Sequence, residues 1–319
     1  MQRQYYVVDV FAHERYTGNA AAVVLDADEL SDAEMQSIAG EFNLSETTFV
    51  LPPETRQATL RFRWFTPTTE VTMCGHATIA GVHALAEAGR LPPGTEPGEV
   101  GERAIGPRSA TDELPPSALV ETRSGVLSTF VEDLPGGRVD QMIWLETPRP
   151  VLVPYPVAET RLARALGLAE DAFDASLPAV KTQDGDLLVF VKDVVGLNDA
   201  RPDFPGLREF QMRRGLRGVC LATKRTLTEA IHVQSRFFAP VAGIDEDPVT
   251  GSVHGPLAVY LVMHGHVPME DRVAALRCTQ AKPGGRAGVV YALVRRQNDD
   301  GYSVRIGGQA VTTMCGTLQ

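Results

Sequence analysis

The same short pattern occurs twice in this chain, about half its length apart. RWFTPTTEVTMCGHATIAGVHAL runs from 63 to 85, and SRFFAPVAGIDEDPVTGSVHGPLAVYL from 235 to 261. In both, an Arg and two aromatic residues precede a Pro. A loop follows, and Gly75-His76 or Gly251-Ser252 then leads into an apolar run. Phe65 and Phe238 are 173 positions apart and Gly75 and Gly251 are 176 apart, so the second loop is three residues longer. A repeat of this period predicts two related lobes, each with a helix opening at the same place. A helix N-terminus carries unpaired N–H groups and the positive end of a dipole, so two such turns suit an anion, and a small carboxylate is the natural ligand. Cys74, His76, Asp247, Thr250 and Ser252 flank the turns, a set suited to proton transfer and hydrogen bonding. A single Gly-His turn would be no more than a tight loop-to-helix connection. Ionisable residues at the same place in both copies favour a site.

The rest of the pattern is rich in strands. QYYVVDVF (4–11) and AAAVVL (20–25) read as strands around Thr17-Gly18-Asn19. Residues 31–43 form an amphipathic helix in this reading, opened by Ser31 and Glu34 at capping-box spacing, with Met35, Ile38, Ala39 and Phe42 at helical period. Glu46 then starts a strand, LSETTFV, and ATLRFRWF alternates as a half-buried strand does. The run after His76 is nearly free of charge, which predicts a buried helix. From Leu91 to Ser117 the chain is rich in Pro and Gly and reads as a long surface loop. Strands resume at ALVETRSGVLSTFVED, followed by a turn at Gly136-Gly137 and by VDQMIWLETP. A short helix is expected at 159–168, strands at DLLVFVKDV and GVCLAT, and further strands in the tail. The fold class is α+β: two similar lobes, each a barrel-like, mostly antiparallel sheet around a central helix. Residues 1–139 make the first lobe, completed by a C-terminal strand at 310–319, and 140–309 make the second. Consecutive strands exclude an alternating dinucleotide-binding pattern.

At 319 residues the chain has room for two cores, and 44% hydrophobic with 22% charged residues is ordinary for a globular protein. A formal net charge of −10 without a Lys/Arg run speaks against nucleic acid and anionic membranes as partners. No stretch approaches the roughly 20 apolar residues of a spanning helix. The N-terminus reads as a strand rather than a signal peptide, so a cytoplasmic location is expected. Cys74, Cys220, Cys278 and Cys315 lack paired spacing, which points to neither disulfides nor a zinc site. His264 and His266 read as a helix-end turn rather than a metal pair.

VDVFAHERYTGNAAAVV, NLSETTFV, RWFTPTTEVTMCGHATIAG, FFAPVAGIDEDPVTGSVHG, QAKPGGRAG and VRIGGQAVTTMCG carry a resemblance that covers nearly the whole chain. The sequence resembles the phenazine-biosynthesis PhzF-like family, of the diaminopimelate epimerase-like fold. The CGHAT and DPVTGSVHG segments are the specific ones. The resemblance implies an active site between two lobes, with Glu46 as the proton-transfer residue and His76, Asp247 and Ser252 beside it. It also implies that backbone N–H groups at Gly75 and Ser252 hold a substrate carboxylate and that Asn19 lies near the cleft or an interface; Gly251, Thr250 and Cys74, beside the two turns, are read as substrate-binding with them. The best-known member isomerises trans-2,3-dihydro-3-hydroxyanthranilate without metal or organic cofactor, and members tend to be homodimers.

A proton shift between carbons needs a group whose pKa is brought toward neutrality by partial burial, and Glu46, flanked by Leu44 and Phe49, fits that description. His76 is a hydrogen-bond or proton donor in this reading, or else an imidazole satisfied by backbone. Asp247 orients the substrate, caps the helix expected near Pro248, or both. Ser252 lacks a nucleophile elbow and reads as a backbone donor with a supporting hydroxyl. Cys74 raises a rival: racemases of the same fold use one thiol from each lobe. The second loop has no cysteine, which leaves only a mixed pair of Cys74 with Asp247. A non-catalytic binding protein on this fold is the third reading.

Overall fold

The computed structural model describes residues 2–91, 98–99, 116–134, 141–156 and 159–319. The turn at Gly136-Gly137 and most of the loop from Leu91 to Ser117 lie outside the described residues. The chain divides into two units, Met1–Thr147 with Arg305–Gln319, and Pro148–Val304. The first contains β1 (Arg3–Val10), β2 (Asn19–Val24), α1 (Asp32–Phe42), β3 (Glu46–Leu51), β4 (Leu60–Phe65), β5 (Glu70–Val71), α2 (Gly75–Glu87), β6 (Gly98–Glu99), β7 (Ala118–Thr122), β8 (Gly125–Asp133) and β9 (Gln141–Thr147). The second contains β10 (Leu152–Pro154), α3 (Glu159–Leu166), β11 (Val180–Thr182), β12 (Asp186–Phe190), α4 (Val194–Asp199), α5 (Phe204–Arg214), β13 (Gly218–Thr223), β14 (Val233–Ala239), β15 (Ile244–Asp247), α6 (Gly251–Met263), β16 (Val273–Ala281), β17 (Ala287–Arg296) and the start of β18 (Tyr302–Gly308). The chain then returns to the first unit through the end of β18 and β19 (Ala310–Leu318).

In the first unit, α1 begins at the predicted capping box. Ser31 accepts from the Glu34 N–H, and the Glu34 carboxylate accepts from the Ser31 N–H at 2.8 Å. The helix ends at Asn43, whose left-handed φ of 48° turns the chain into β3. Its Met35 and Ala39 bury against Val24, Phe49 and Phe65. The nearly charge-free α2 has ten of its 13 residues buried and packs against β1, β2, β3, β4, β9 and β19, so the sheet wraps it. Gly81 permits this closeness, because a Cβ there would come 2.7 Å from the Phe62 ring. The pairing runs β19–β1–β2 antiparallel, β2–β3 parallel, β3–β4 antiparallel, β4–β7 parallel, then β7–β8–β9 antiparallel.

The second unit repeats that order. Its strands run β10–β11–β12 antiparallel, β12–β13 parallel, β13–β14 antiparallel, β14–β16 parallel and β16–β17 antiparallel. Thus β1 corresponds to β11, β2 to β12, β3 to β13, β4 to β14 and α2 to α6. Like α2, α6 is apolar and has 11 of its 13 residues buried. The second unit adds α3, α4 and α5, whose Leu162, Leu166, Leu197, Leu207 and Phe210 cover Leu187, Val189, Val219 and Leu221 of the sheet. The divisions fall at Thr147/Pro148 and Val304/Arg305, where 139/140 and 309/310 were expected; β9 continues the ladder of β8, and the chain crosses between the units within β18 rather than after it. The architecture is α+β, and among the described residues no helix is long and apolar enough to cross a membrane.

Candidate active site

Glu46 is the first residue of β3 and lies opposite Ala21 of the parallel strand β2. The start of α2 faces it. Cys74 is the N-cap residue of α2 in extended conformation, without a side-chain cap, and His76 is its second residue. His76 stands between two partners: its Nδ1 lies 3.4 Å from Cys74 Sγ, and its Nε2 lies 3.2 Å from Glu46 Oε2. The latter contact has ion-pair distance without hydrogen-bond alignment, so Oε2 is left with no hydrogen bond among the described residues. The Glu46 side chain is only 13% exposed. Burial pushes its pKa up to about 7, against a smaller lowering by a hydrogen bond from Cys74. A carboxyl group of this kind takes up or gives up a proton near neutral pH, which is the property a proton shuttle needs.

The donor atoms of Glu46, Cys74 and His76 all lie within 4.8 Å of one another. That is within the reach of ligands of one metal ion, a grouping that the scattered cysteines did not predict. Asn19 opens β2 and is buried, and the Ser45 hydroxyl next to Glu46 donates to its Oδ1 at 3.5 Å. A Cβ on Gly75 would make only ordinary contacts, 3.6 Å to Ile306 and 3.8 Å to Leu145, so packing within the unit does not require glycine there.

In the second unit Asp247 ends β15, and α6 starts at Gly251 with Thr250 as its N-cap residue. The expectation that Asp247 caps a helix near Pro248 is therefore corrected. Its carboxylate instead accepts from the Thr250 hydroxyl. Gln280 of β16, fully buried, holds this corner: its Nε2 donates to the Asp247 carbonyl at 2.7 Å and to Thr250 Oγ1 at 3.1 Å, and its Oε1 accepts from the Thr250 N–H at 3.1 Å. His254, also fully buried, has Nδ1 2.7 Å from the Thr250 carbonyl and Nε2 3.2 Å from Ser235 Oγ. Burial lowers its pKa to about 4 and keeps it neutral. Thr78 does the same work in α2, donating to the Cys74 carbonyl at 2.6 Å. The Ser252 hydroxyl accepts from Arg217 Nη2 at 3.1 Å.

The sequence pattern drew attention to neither Arg217, Gln280 nor His254 as site residues. His254 was legible from the repeat, since it stands as far after Gly251 as Thr78 does after Gly75. Behind each helix start the repeat also builds the same brace. Arg63 forms a bidentate pair with Glu70 at 2.8 and 2.9 Å, and Arg236 one with Glu246 at 2.7 and 3.0 Å. Each guanidinium also covers an aromatic ring, Phe65 at 5.1 Å or Phe238 at 5.0 Å.

The sequence model of the phenazine biosynthesis-like protein family matches residues 8–316. An uncharacterized isomerase of Pseudomonas aeruginosa is 34% identical over 319 residues, covering 100% of this chain and 99% of the relative. A trans-2,3-dihydro-3-hydroxyanthranilate isomerase of the same organism is 31% identical over 307 residues, 96% of this chain and 95% of the relative. Among solved structures, a phenazine biosynthesis protein of the PhzF family from Bacillus anthracis superposes with a TM-score of 0.84 at 25% identity, covering 100% of this chain and 99% of that one.

Proposed function

Since the chain belongs to the phenazine biosynthesis-like protein family and is an isomerase, we propose that it moves a proton on a small carboxylate of the trans-2,3-dihydro-3-hydroxyanthranilate type, with Glu46 as acid and base. The observation that carries this reading is the Glu46 carboxyl group, 13% exposed, with the His76 imidazole 3.2 Å from its Oε2 and that oxygen without a hydrogen bond among the described residues; burial pushes its pKa up, in keeping with the role. As carboxylate, Glu46 takes a proton from a ring carbon, and the released electron pair shifts along the conjugated system. The same group, now a carboxylic acid whose proton exchanges with solvent, delivers a proton to another carbon. Substrate and product thus have the same formula, and the enzyme ends as it began.

His76 positions Glu46 and supplies a hydrogen bond or proton to the substrate. The backbone N–H groups at Gly75, Gly251 and Ser252 are proposed to bind the carboxylate, with Asn19, Cys74, Thr250 and Asp247 shaping recognition. The ordinary packing at Gly75 supports a close ligand there, since its own unit does not demand a residue without a Cβ. Of the other thiols, Cys220 and Cys278 are fully buried with pKa values pushed upward, which leaves them poor thiolate bases.

Steady-state turnover of trans-2,3-dihydro-3-hydroxyanthranilate by Glu46→Gln and Cys74→Ser tests the reading. Glu46→Gln is expected to lose at least about a thousandfold in kcat while keeping its fold, and Cys74→Ser to lose less than about tenfold. The reverse order would make Cys74 the proton carrier and favour an amino-acid racemase.

A further inference from the structure

The repeat shows what the second unit carries where the first has its acid. Thr47 pairs with Phe65, and Val219 pairs with Phe238. Gly218 is therefore the counterpart of Glu46, Arg217 that of Ser45, and Ser252 that of His76. At Gly218 the ring of Phe237 fills the space that a side chain would need. A carboxyl–imidazole pair in the first unit is thus replaced in the second by a guanidinium–hydroxyl pair, Arg217 Nη2 to Ser252 Oγ at 3.1 Å.

Arg217 is anchored from behind. Its Nε donates to Asp186 Oδ1 at 2.9 Å and its Nη2 to Oδ2, and Asp186 is 1% exposed whereas the Arg217 side chain is 42% exposed. Asp186 is fixed in turn, its N–H donating to Thr182 Oγ1 at 3.1 Å. Such a bidentate pair holds a planar guanidinium in one orientation. A guanidinium has donors only, so the Ser252 oxygen must accept from it. The serine proton is then left for another acceptor, and the positive charge alongside favours an anionic one.

We propose that Arg217, anchored by Asp186, is the positioning residue that fixes the Ser252 hydroxyl as a donor to the substrate carboxylate and so sharpens selection for that carboxylate. This rests on the reading that Ser252 binds that carboxylate. It deepens that reading by giving the second unit a fixed hydrogen-bond donor where the first has a proton carrier.

Calorimetric titration of the full chain with anthranilate and aniline, which differ only in the carboxylate, tests it. Wild type is expected to prefer anthranilate, and Arg217→Met to bind anthranilate about tenfold more weakly with aniline binding unchanged. Arg217→Lys should restore part of the loss. In turnover, the KM of Arg217→Met should rise about tenfold while kcat falls by less than about threefold. Because Arg217→Met strands a buried carboxylate, the double variant Asp186→Asn/Arg217→Met is measured alongside, and the same loss of selectivity is expected from it. Wild-type selectivity in that folded double variant, or equal binding of the two probes by wild type, would overturn the proposal. Failure of the acid–base reading is scored separately, as turnover retained by Glu46→Gln.

Discussion

A carboxyl group with 13% of its side chain exposed is costly to ionise, and Glu46, which has the His76 imidazole at 3.2 Å but no Arg or Lys partner among the described residues, is such a group. Its pKa rises from the ordinary 4.5 to about 7. Below the unfolded value, folded and unfolded chains both carry it protonated, and no stability is lost. Between 4.5 and 7 the unfolded chain ionises first, so stability declines, and above 7 the penalty is constant. Glu46→Gln cannot ionise and should exceed wild type in stability by on the order of 1–3 kcal/mol at pH 8, with no such gain at pH 4, as read by urea unfolding at both pH values. A gain that is equal at both pH values would contradict a raised pKa. At this scale the motif-borne residues were legible, because Glu46, Cys74 and His76 sit in compact segments. Arg217 and Gln280 were not, because each reaches its partner from a separate strand or its flank, and a lone Arg or Gln in a sequence reads as surface.

At the scale of elements, the two Arg–Glu braces explain why the repeated motif begins with Arg and aromatic residues. They differ in one respect. Glu246 is paired with Arg236, and the two side chains are 3% and 5% exposed, whereas Glu70 is shared by Arg63 and Arg123, the latter at 2.7 Å. Arg236→Leu strands a buried carboxylate and should cost roughly 3–5 kcal/mol. Arg63→Leu leaves Glu70 its second cation and should cost about 1 kcal/mol. Urea unfolding of the two variants gives the comparison, and equal losses would refute it. The extra residues of the second loop form a tight turn, Pro240–Ala242, that ends at Gly243 with a φ of 83°. Thus the longer loop still delivers its Gly-Ser to the same place. Both central helices were readable from their apolar runs. In contrast, α5 has Pro205 and Gly206 in its first turn and few buried positions, so its period is too faint to read.

For the whole molecule, chain connectivity ties the first unit to the C-terminus. β19 pairs with β1 from Arg3↔Leu318 to Val10↔Ala310 and packs on α2. Removing residues 310–319 therefore strips the first unit of a strand and exposes its central helix. Both tryptophans, Trp64 and Trp144, are buried in that unit, so their fluorescence reports on it alone. The truncated chain should show red-shifted emission at 25 °C, and a wild-type spectrum would show that β19 is dispensable. The duplication was legible from the offset of the motifs, but the division at Thr147/Pro148 was not, because the Gly136-Gly137 pair ahead of β9 reads in sequence as a boundary. Whether the intact enzyme moves a proton through Glu46 can be read by proton NMR in D₂O with trans-2,3-dihydro-3-hydroxyanthranilate and a panel of amino acids. Wild type should isomerise the dihydroanthranilate with deuterium entering at carbon, and Glu46→Gln should do neither. Equal deuterium uptake with the two proteins, or uptake at the α-carbon of an amino acid alone, would rule out Glu46 as the proton carrier on this substrate.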